Sequence, residues 1–180
     1  MHIRNDHTIP RRVALCSVLT ALAAVAGYIE ILIPVNWFGI PGVKLGLANV
    51  VSLTALYLIG TFPAYLITII RVLIIGILFG SPYSVMFSMT GGLISLTVML
   101  ILKRTGLFSM TAVSAAGGVS HNIGQYLVAY LTLNELKLYY YIPVLIIAGV
   151  VCGIATGLLG DAVCRRLKGV KDDRILKGDG

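Results

Sequence analysis

Residues 63–79 read Pro-Ala-Tyr-Leu-Ile-Thr-Ile-Ile-Arg-Val-Leu-Ile-Ile-Gly-Ile-Leu-Phe, an apolar run that contains a single charge, Arg71. A helix that crosses the hydrocarbon core of a bilayer needs about 20 mostly apolar residues. Similar continuous runs recur along the chain, whereas a β-barrel would need strands in which apolar and polar residues alternate. We therefore predict an all-α integral membrane protein, a single domain over residues 1–180. Its six transmembrane helices are expected over residues 13–33, 46–60, 63–79, 84–102, 107–132 and 142–163, and a basic tail over 164–180.

The composition agrees with this class. The chain has 180 residues, of which 58% are hydrophobic and 12% charged, with a net charge of +7. A soluble protein of this size could not bury so much apolar surface, and a disordered chain would carry less apolar material. A basic protein often binds nucleic acid, but here the basic residues do not lie on a soluble framework, so no nucleic-acid partner is expected.

The distribution of Lys and Arg predicts the orientation in the membrane. Cytoplasmic ends of spans carry an excess of these residues. If the N-terminus is cytoplasmic, six spans place the C-terminus there too, and localisation in the cell membrane follows. The basic residues then on the cytoplasmic side are Arg4, Arg11, Arg12, Lys103, Arg104, Arg165, Arg166, Lys168, Lys171, Arg174 and Lys177. The basic segment after Asp161 is expected to fray and to meet anionic lipid.

The motifs of several enzyme classes are absent from the sequence. There is no GxxxxGK[ST] motif for ATP and no HExxH zinc motif, so neither a cofactor nor a metal is expected. The only adjacent acids are Asp172 and Asp173, too few for the magnesium-binding aspartate clusters of a prenyl synthase. Ser120 and His121 are neighbours in sequence and do not face each other on a helix. We expect a protein that is not an enzyme.

Arg71 is the one charge near the middle of a predicted span. Ionisable residues inside a bilayer are costly and normally face the protein interior or a cavity. One interpretation is structural: Arg71 pairs with Glu30, at the outer end of the first span, or with backbone carbonyls. The other is functional: the guanidinium binds an anionic group of a ligand.

The fifth span carries a polar face formed by Ser114, Gly118, His121 and Gln125, which recur at helical spacing, with Asn122 beside them. Hydrogen bonding between helices explains part of such a pattern. Three long polar side chains within two turns also indicate a face that lines a substrate.

The loop after the first span, residues 34–44, contains the only tryptophan. Trp37 is either an interfacial anchor or a residue that closes over a ligand from outside. Lys44, at the end of this loop, is a candidate for anion binding.

Small residues form a stripe along the first span, at spacings of three and four. Such a stripe permits close approach of another helix, either within the chain or on a partner. Its members are Ala14, Ser17, Ala21 and Ala24.

Three segments resemble the Gx transporter family, whose members are often labelled heptaprenyl diphosphate synthase component I. They are residues 41–49 (Pro-Gly-Val-Lys-Leu-Gly-Leu-Ala-Asn), the Gly91-Gly92 span and residues 117–125 (Gly-Gly-Val-Ser-His-Asn-Ile-Gly-Gln). More broadly, the chain is similar to the S components of energy-coupling factor (ECF) transporters, which bind a vitamin or related small molecule from outside. A membrane coupling protein and two ATPase subunits then drive transport.

The resemblance implies an S-component-like bundle and assigns roles by position. It implies that the first span docks on the coupling protein through Ala14, Ser17, Ala21 and Ala24. It also implies a substrate pocket formed by Lys44, Asn49, Arg71, His121, Asn122 and Gln125, to which Trp37 adds.

The leading functional hypothesis is a substrate-binding subunit that takes up a small anionic vitamin or cofactor precursor. The alternative is a non-catalytic membrane accessory subunit of a heptaprenyl diphosphate synthase. A third hypothesis is an intramembrane enzyme that uses His121.

Overall fold

The computed structural model describes residues 8–32, 46–133 and 136–177, and within these ranges every regular element is helical. Six α-helices and one short 3₁₀ helix follow one another along the chain. They are α1 (Thr8–Leu32), α2 (Leu47–Leu58), α3 (Thr61–Phe79), α4 (Pro82–Thr105), α5 (Met110–Leu133), the 3₁₀ helix (Leu136–Tyr141) and α6 (Ile142–Lys177).

Four of these helices are long and apolar enough to cross a membrane: α1, α3, α4 and the 3₁₀–α6 segment. α2 is apolar but has only 12 residues. It therefore spans about 18 Å, short of the roughly 30 Å of a hydrocarbon core. α5 has 24 residues, but its serine, histidine, asparagine and glutamine side chains lower its hydropathy. The chain is thus an all-α membrane protein, while the count of six spans and the cytoplasmic termini stay predictions.

The exterior of the bundle is apolar. Phe62 and Ile77 of α3 and Leu131 of α5 are more than 70% exposed. A patch of this extent on a soluble protein would mark an interaction surface. Here it surrounds the helices that are able to cross a membrane, which is the surface that lipid tails cover.

The apolar core lies between α2, α3, α4 and α5. Its fully buried side chains are Leu53, Leu56, Ile67, Leu96 and Val113. The cluster lies towards the end of the bundle where α2 ends and α3 begins. The longest buried polar side chains lie towards the other end, where α3 passes into α4; they are Glu30, Arg71, His121, Asn122 and Gln125.

Glycines bring α5 and α6 into backbone contact. A Cβ atom on Gly118 would lie 2.2 Å from the carbonyl oxygen of Gly149, and one on Gly153 would lie 2.6 Å from the Cα atom of Ala115. Small residues at such a crossing let two membrane helices approach more closely than side chains allow. The Gly117-Gly118 pair of the sequence motif is thus part of a helix–helix contact.

Local signals at the helix ends explain several boundaries. α2 and α3 form a helical hairpin through Ile59 and Gly60, and Pro63 lies in the first turn of α3, where its missing N–H costs nothing. The hydroxyl oxygen of Ser81 accepts a hydrogen bond from Ser84 N at 3.2 Å and caps the start of α4. Gly106 ends α4 in the left-handed conformation.

One long side chain links the end of α4 to α2. The Lys103 ammonium donates a hydrogen bond to the carbonyl oxygen of Leu56 at 2.6 Å. It also lies 4.8 Å from the centre of the Tyr57 ring, within the range of a cation–π contact. Lys103 therefore satisfies one of the last carbonyls of α2, where a cation is electrostatically favourable.

The expectation of a frayed end after Asp161 is wrong. α6 continues through the basic segment to Lys177. An ion pair one turn apart supports the helix at this point, with the Arg165 Nε atom 2.8 Å from an Asp161 carboxylate oxygen.

Candidate functional site

A polar cavity of about 120 Å³ lies between the first five helices. A cavity of this size, with polar walls, holds several water molecules or a small polar group. The polar side chains that line it come from α1, α2, α3, α4 and α5. They are Glu30, Asn49, Arg71, Ser84, Ser88 and His121.

A second, smaller space of about 20 Å³ adjoins the first on the side of α5 and α6. Gly46, Asn49 and His121 line both spaces, so the two are parts of one polar interior. Ser114 of α5 and Thr156 of α6 also line the smaller space. The polar interior therefore extends from α1 to α6.

Arg71 is the only charge of α3 and is 9% exposed. Its Nη2 atom donates a hydrogen bond to the Asn49 side-chain oxygen at 2.7 Å. Its Nε atom is fully buried and has no hydrogen-bond partner among the described residues. A buried donor that lacks a partner costs about 1–3 kcal/mol, and more when the group is charged. Arg71 therefore retains binding capacity next to the cavity.

Glu30 is also 9% exposed, and it lies at the first turn of α2. Its Oε1 atom accepts a hydrogen bond from the backbone N–H of Gly46, the residue that precedes α2. The N-terminus of a helix carries a partial positive charge, which a carboxylate complements. Gly46 has a φ of 79°, which a glycine adopts freely, and a Cβ there would lie 3.2 Å from the Thr156 hydroxyl oxygen.

These contacts place the start of α2 deep in the bundle. Thr156, beside Gly46, is 14 residues beyond the first residue of α6, which is about 21 Å along a helix. Asn49, in the first turn of α2, reaches Arg71 in the middle of α3. Gly46 and Asn49, at the start of α2, both line the cavity, so the cavity lies beside this first turn.

Arg71 and Glu30 do not form a direct ion pair. Within the described ranges, the only ion pair joins Arg165 and Asp161. Instead, Arg71 forms a hydrogen bond with Asn49, and Glu30 forms one with Gly46. Gly46 and Asn49 are three residues apart at the start of α2. The structural interpretation of Arg71 as the direct partner of Glu30 is therefore wrong, although both charges line the same cavity.

The polar face of α5 divides between the cavity and the packing of helices. Ser114 and His121 line the polar interior. Asn122 donates a hydrogen bond from its side-chain nitrogen to the Leu145 carbonyl of α6 at 2.8 Å, and it also lines the smaller space. Gln125 is buried but lines neither of the two spaces. It packs against α4 instead, since its Cγ atom lies 3.0 Å from the position that a Cβ on Gly91 would occupy.

Two predicted site residues, Trp37 and Lys44, lie outside the described residues, and their roles stay predictions. The small-residue stripe of α1 is described. Ala14, Ser17 and Ala21 are exposed and Ala24 is half-buried. The face of α1 that packs inwards carries Ala23 and Gly27 instead.

Three cavity residues were not assigned to the site from the sequence: Glu30, Ser84 and Ser88. Glu30 carries a clear signal, since it is the only acidic residue between positions 7 and 134. The two serines are one turn apart on α4, but serines are common in membrane helices and give no specific signal. In the described part of the chain, no three His, Cys, Asp or Glu side chains cluster as metal ligands do.

The comparisons with known proteins give one match. The family described as heptaprenyl diphosphate synthase component I matches residues 19–163, most of the chain. No curated protein and no solved structure matches. The match confirms the family resemblance inferred from the sequence motifs, whereas the similarity to S components of ECF transporters stays a prediction.

Proposed function

This chain belongs to the heptaprenyl diphosphate synthase component I family, and we propose that it is the substrate-binding membrane subunit of an ECF-type transporter. The ligand is a small vitamin or cofactor precursor with an anionic group. The membrane subunit holds it, and a coupling protein with two ATPase subunits supplies the energy for uptake.

One observation carries the proposal: a buried arginine borders a polar cavity inside an apolar bundle, with one of its donors unused among the described residues. A guanidinium in a membrane interior is costly and is normally retained for a function. Its planar donors match the oxygens of a carboxylate or phosphate. Asn49 holds Nη2 and orients the guanidinium of Arg71, which lines the cavity.

The exposed stripe on α1 supports the proposed coupling partner. Ala14, Ser17 and Ala21 face away from the described bundle. Small residues allow the backbones of two membrane helices to approach closely, which provides the packing contacts that associate helices in lipid. The bundle does not use this stripe itself, so we propose that the coupling protein covers it.

The alternative is a non-catalytic accessory subunit of a heptaprenyl diphosphate synthase. The description of the matching family, heptaprenyl diphosphate synthase component I, favours this alternative. A polyprenyl chain is long and apolar, whereas the cavity of about 120 Å³ is small and lined by charged and polar groups. Any association with such a synthase would therefore use the outer surface of the chain and not this cavity.

The ligand proposal is tested by comparing wild-type protein with Arg71→Gln. Both are purified in detergent, and small molecules released on denaturation are identified and quantified by mass spectrometry. Loss of a charge-assisted hydrogen bond costs about 1.5–3 kcal/mol, so retention should fall by about 10- to 150-fold. Arg165→Gln, which removes an exposed arginine on α6, is the matched control and should retain the molecule. Equal retention by wild type and Arg71→Gln would contradict the proposal.

Partners are tested by affinity purification from membranes of the source cell, followed by native mass spectrometry. The transporter proposal expects a membrane protein and two ATPases in the complex. Recovery of a soluble prenyl diphosphate synthase without ATPases would favour the accessory subunit instead.

A further inference from the structure

We propose that the ligand of this cavity is zwitterionic: an anionic group binds Arg71 and a cationic group binds Glu30. This inference rests on the proposed ligand-binding function and specifies the chemical class of the ligand. It follows from two opposite charges that line one cavity and are held apart.

The first turn of α2 separates the two charges. Gly46, which precedes α2, donates its backbone N–H to the Glu30 carboxylate. Asn49, in the first turn of α2, accepts a hydrogen bond from Arg71 with its side-chain oxygen. The Asn49 N–H donates in turn to the Gly46 carbonyl at 2.9 Å, so both anchors belong to one rigid helical turn. Opposite charges in a poorly polarisable interior attract strongly, and a purely structural pair would be expected to close into direct contact. Here the two side chains are bound to different residues, Gly46 and Asn49, and form no direct ion pair.

Charge balance favours a ligand that carries both signs. Among the described residues, the cavity is bordered by one cation, Arg71, and one anion, Glu30, whose charges balance. An anion alone would leave two negative charges facing one positive charge, and a cation alone would produce the reverse. An unbalanced charge in the membrane interior is unfavourable. A zwitterion neutralises each wall and adds no net charge.

The helix terminus determines which end of the ligand binds where. The partial positive charge at the start of α2 would attract an anionic group, but the Glu30 carboxylate already occupies the Gly46 N–H. The cationic group that borders the cavity, and is therefore placed to bind an anion, is the Arg71 guanidinium. Ser84 and Ser88, one turn apart on α4, border the same cavity and make its wall polar.

The test uses three small probes of matched size on the full chain in detergent: glycine, acetate and methylammonium. Thermal stabilisation is measured at millimolar probe, against sodium chloride of equal ionic strength. Wild-type protein should be stabilised by glycine more than by either ion. Glu30→Gln, which keeps an oxygen acceptor for Gly46, should shift the preference to acetate. Arg71→Gln should shift it to methylammonium. Each preference should change by about tenfold or more in apparent affinity.

Arg165→Gln is the control and should keep the preference of the wild type. If wild-type protein responds to acetate as strongly as to glycine, or to none of the probes, the zwitterion proposal is overturned. If a variant does not fold, the ranking of the three probes on wild type decides the question alone. The proposed function has a separate readout, which is the release of a small molecule on denaturation. If wild-type protein releases a molecule but shows no preference for glycine, only the zwitterion proposal is contradicted. Wild type that releases no molecule and responds to no probe contradicts both.

Discussion

Replacement of Gly118 by alanine tests the backbone contact between α5 and α6. The added Cβ atom would lie 2.2 Å from the Gly149 carbonyl oxygen, and contacts below 3.0 Å are essentially never tolerated. The obstructing atom belongs to the backbone, so no side chain is able to rotate away. The two helices must separate by at least the missing 0.8 Å. Overpacking of this kind destabilises by about 1–3 kcal/mol.

The matched control is Gly27→Ala in α1. Both substitutions replace a helical glycine and gain the same helix propensity, up to about 1 kcal/mol. At Gly27, however, the nearest atoms to the new Cβ belong to side chains, with Ile75 Cγ1 at 3.3 Å and Ala48 Cβ at 3.9 Å. The difference between the two variants therefore isolates the backbone clash. At about 2–4 °C per kcal/mol for a chain of this size, Gly118→Ala should melt about 2–12 °C below Gly27→Ala.

Both variants are purified in detergent, and unfolding is followed by circular dichroism during heating. Gly118 also lines the smaller polar space, so the separated helices should widen it. If Gly118→Ala melts at the same temperature as Gly27→Ala, or above it, the two helices are not in backbone contact and the reasoning fails.

Two further predictions concern the link between α4 and α2 and the orientation of the chain. Lys103→Met should lower the free energy of unfolding by about 1–3 kcal/mol, because the Leu56 carbonyl loses a charged donor. Arg104→Met is the control and should change the free energy of unfolding little. Thermal melts of both variants measure the difference. In a background without native cysteines, Tyr83→Cys, at the end of the bundle where α3 passes into α4, should react with a membrane-impermeant maleimide from outside the cell. Leu107→Cys, at the opposite end, should react only after the membrane is opened, and the reverse pattern would refute a cytoplasmic N-terminus.

The long helices could be predicted from hydrophobic runs, because the length and continuity of an apolar run follow directly from the bilayer. The predicted span over residues 63–79 coincides with α3 to within two residues. The depth at which α2 begins was not predictable in this way. It depends on the contacts of Gly46 with Glu30 and Thr156, which come from two helices distant in sequence.

The candidate site was predictable only in part, because some of its residues are brought together by contacts between helices distant in sequence. Arg71 and His121 were identified because long polar side chains are rare in apolar spans, and both line the cavity. Glu30 was considered only as an ion-pair partner, and its role at the start of α2 depends on the three-dimensional position of that helix. Gln125 satisfied the same helical spacing as His121, but it lies against Gly91, because the close crossing of α4 and α5 occupies that part of the face.

The glycine contacts also bear on how a molecule reaches a cavity enclosed by helices. α5 and α6 touch through backbone atoms at Gly118, Gly149 and Gly153, so any sliding between them produces steric overlap, and the pair moves as one body. Since α5 borders the larger cavity through His121, this pair forms a fixed wall on that side of the cavity.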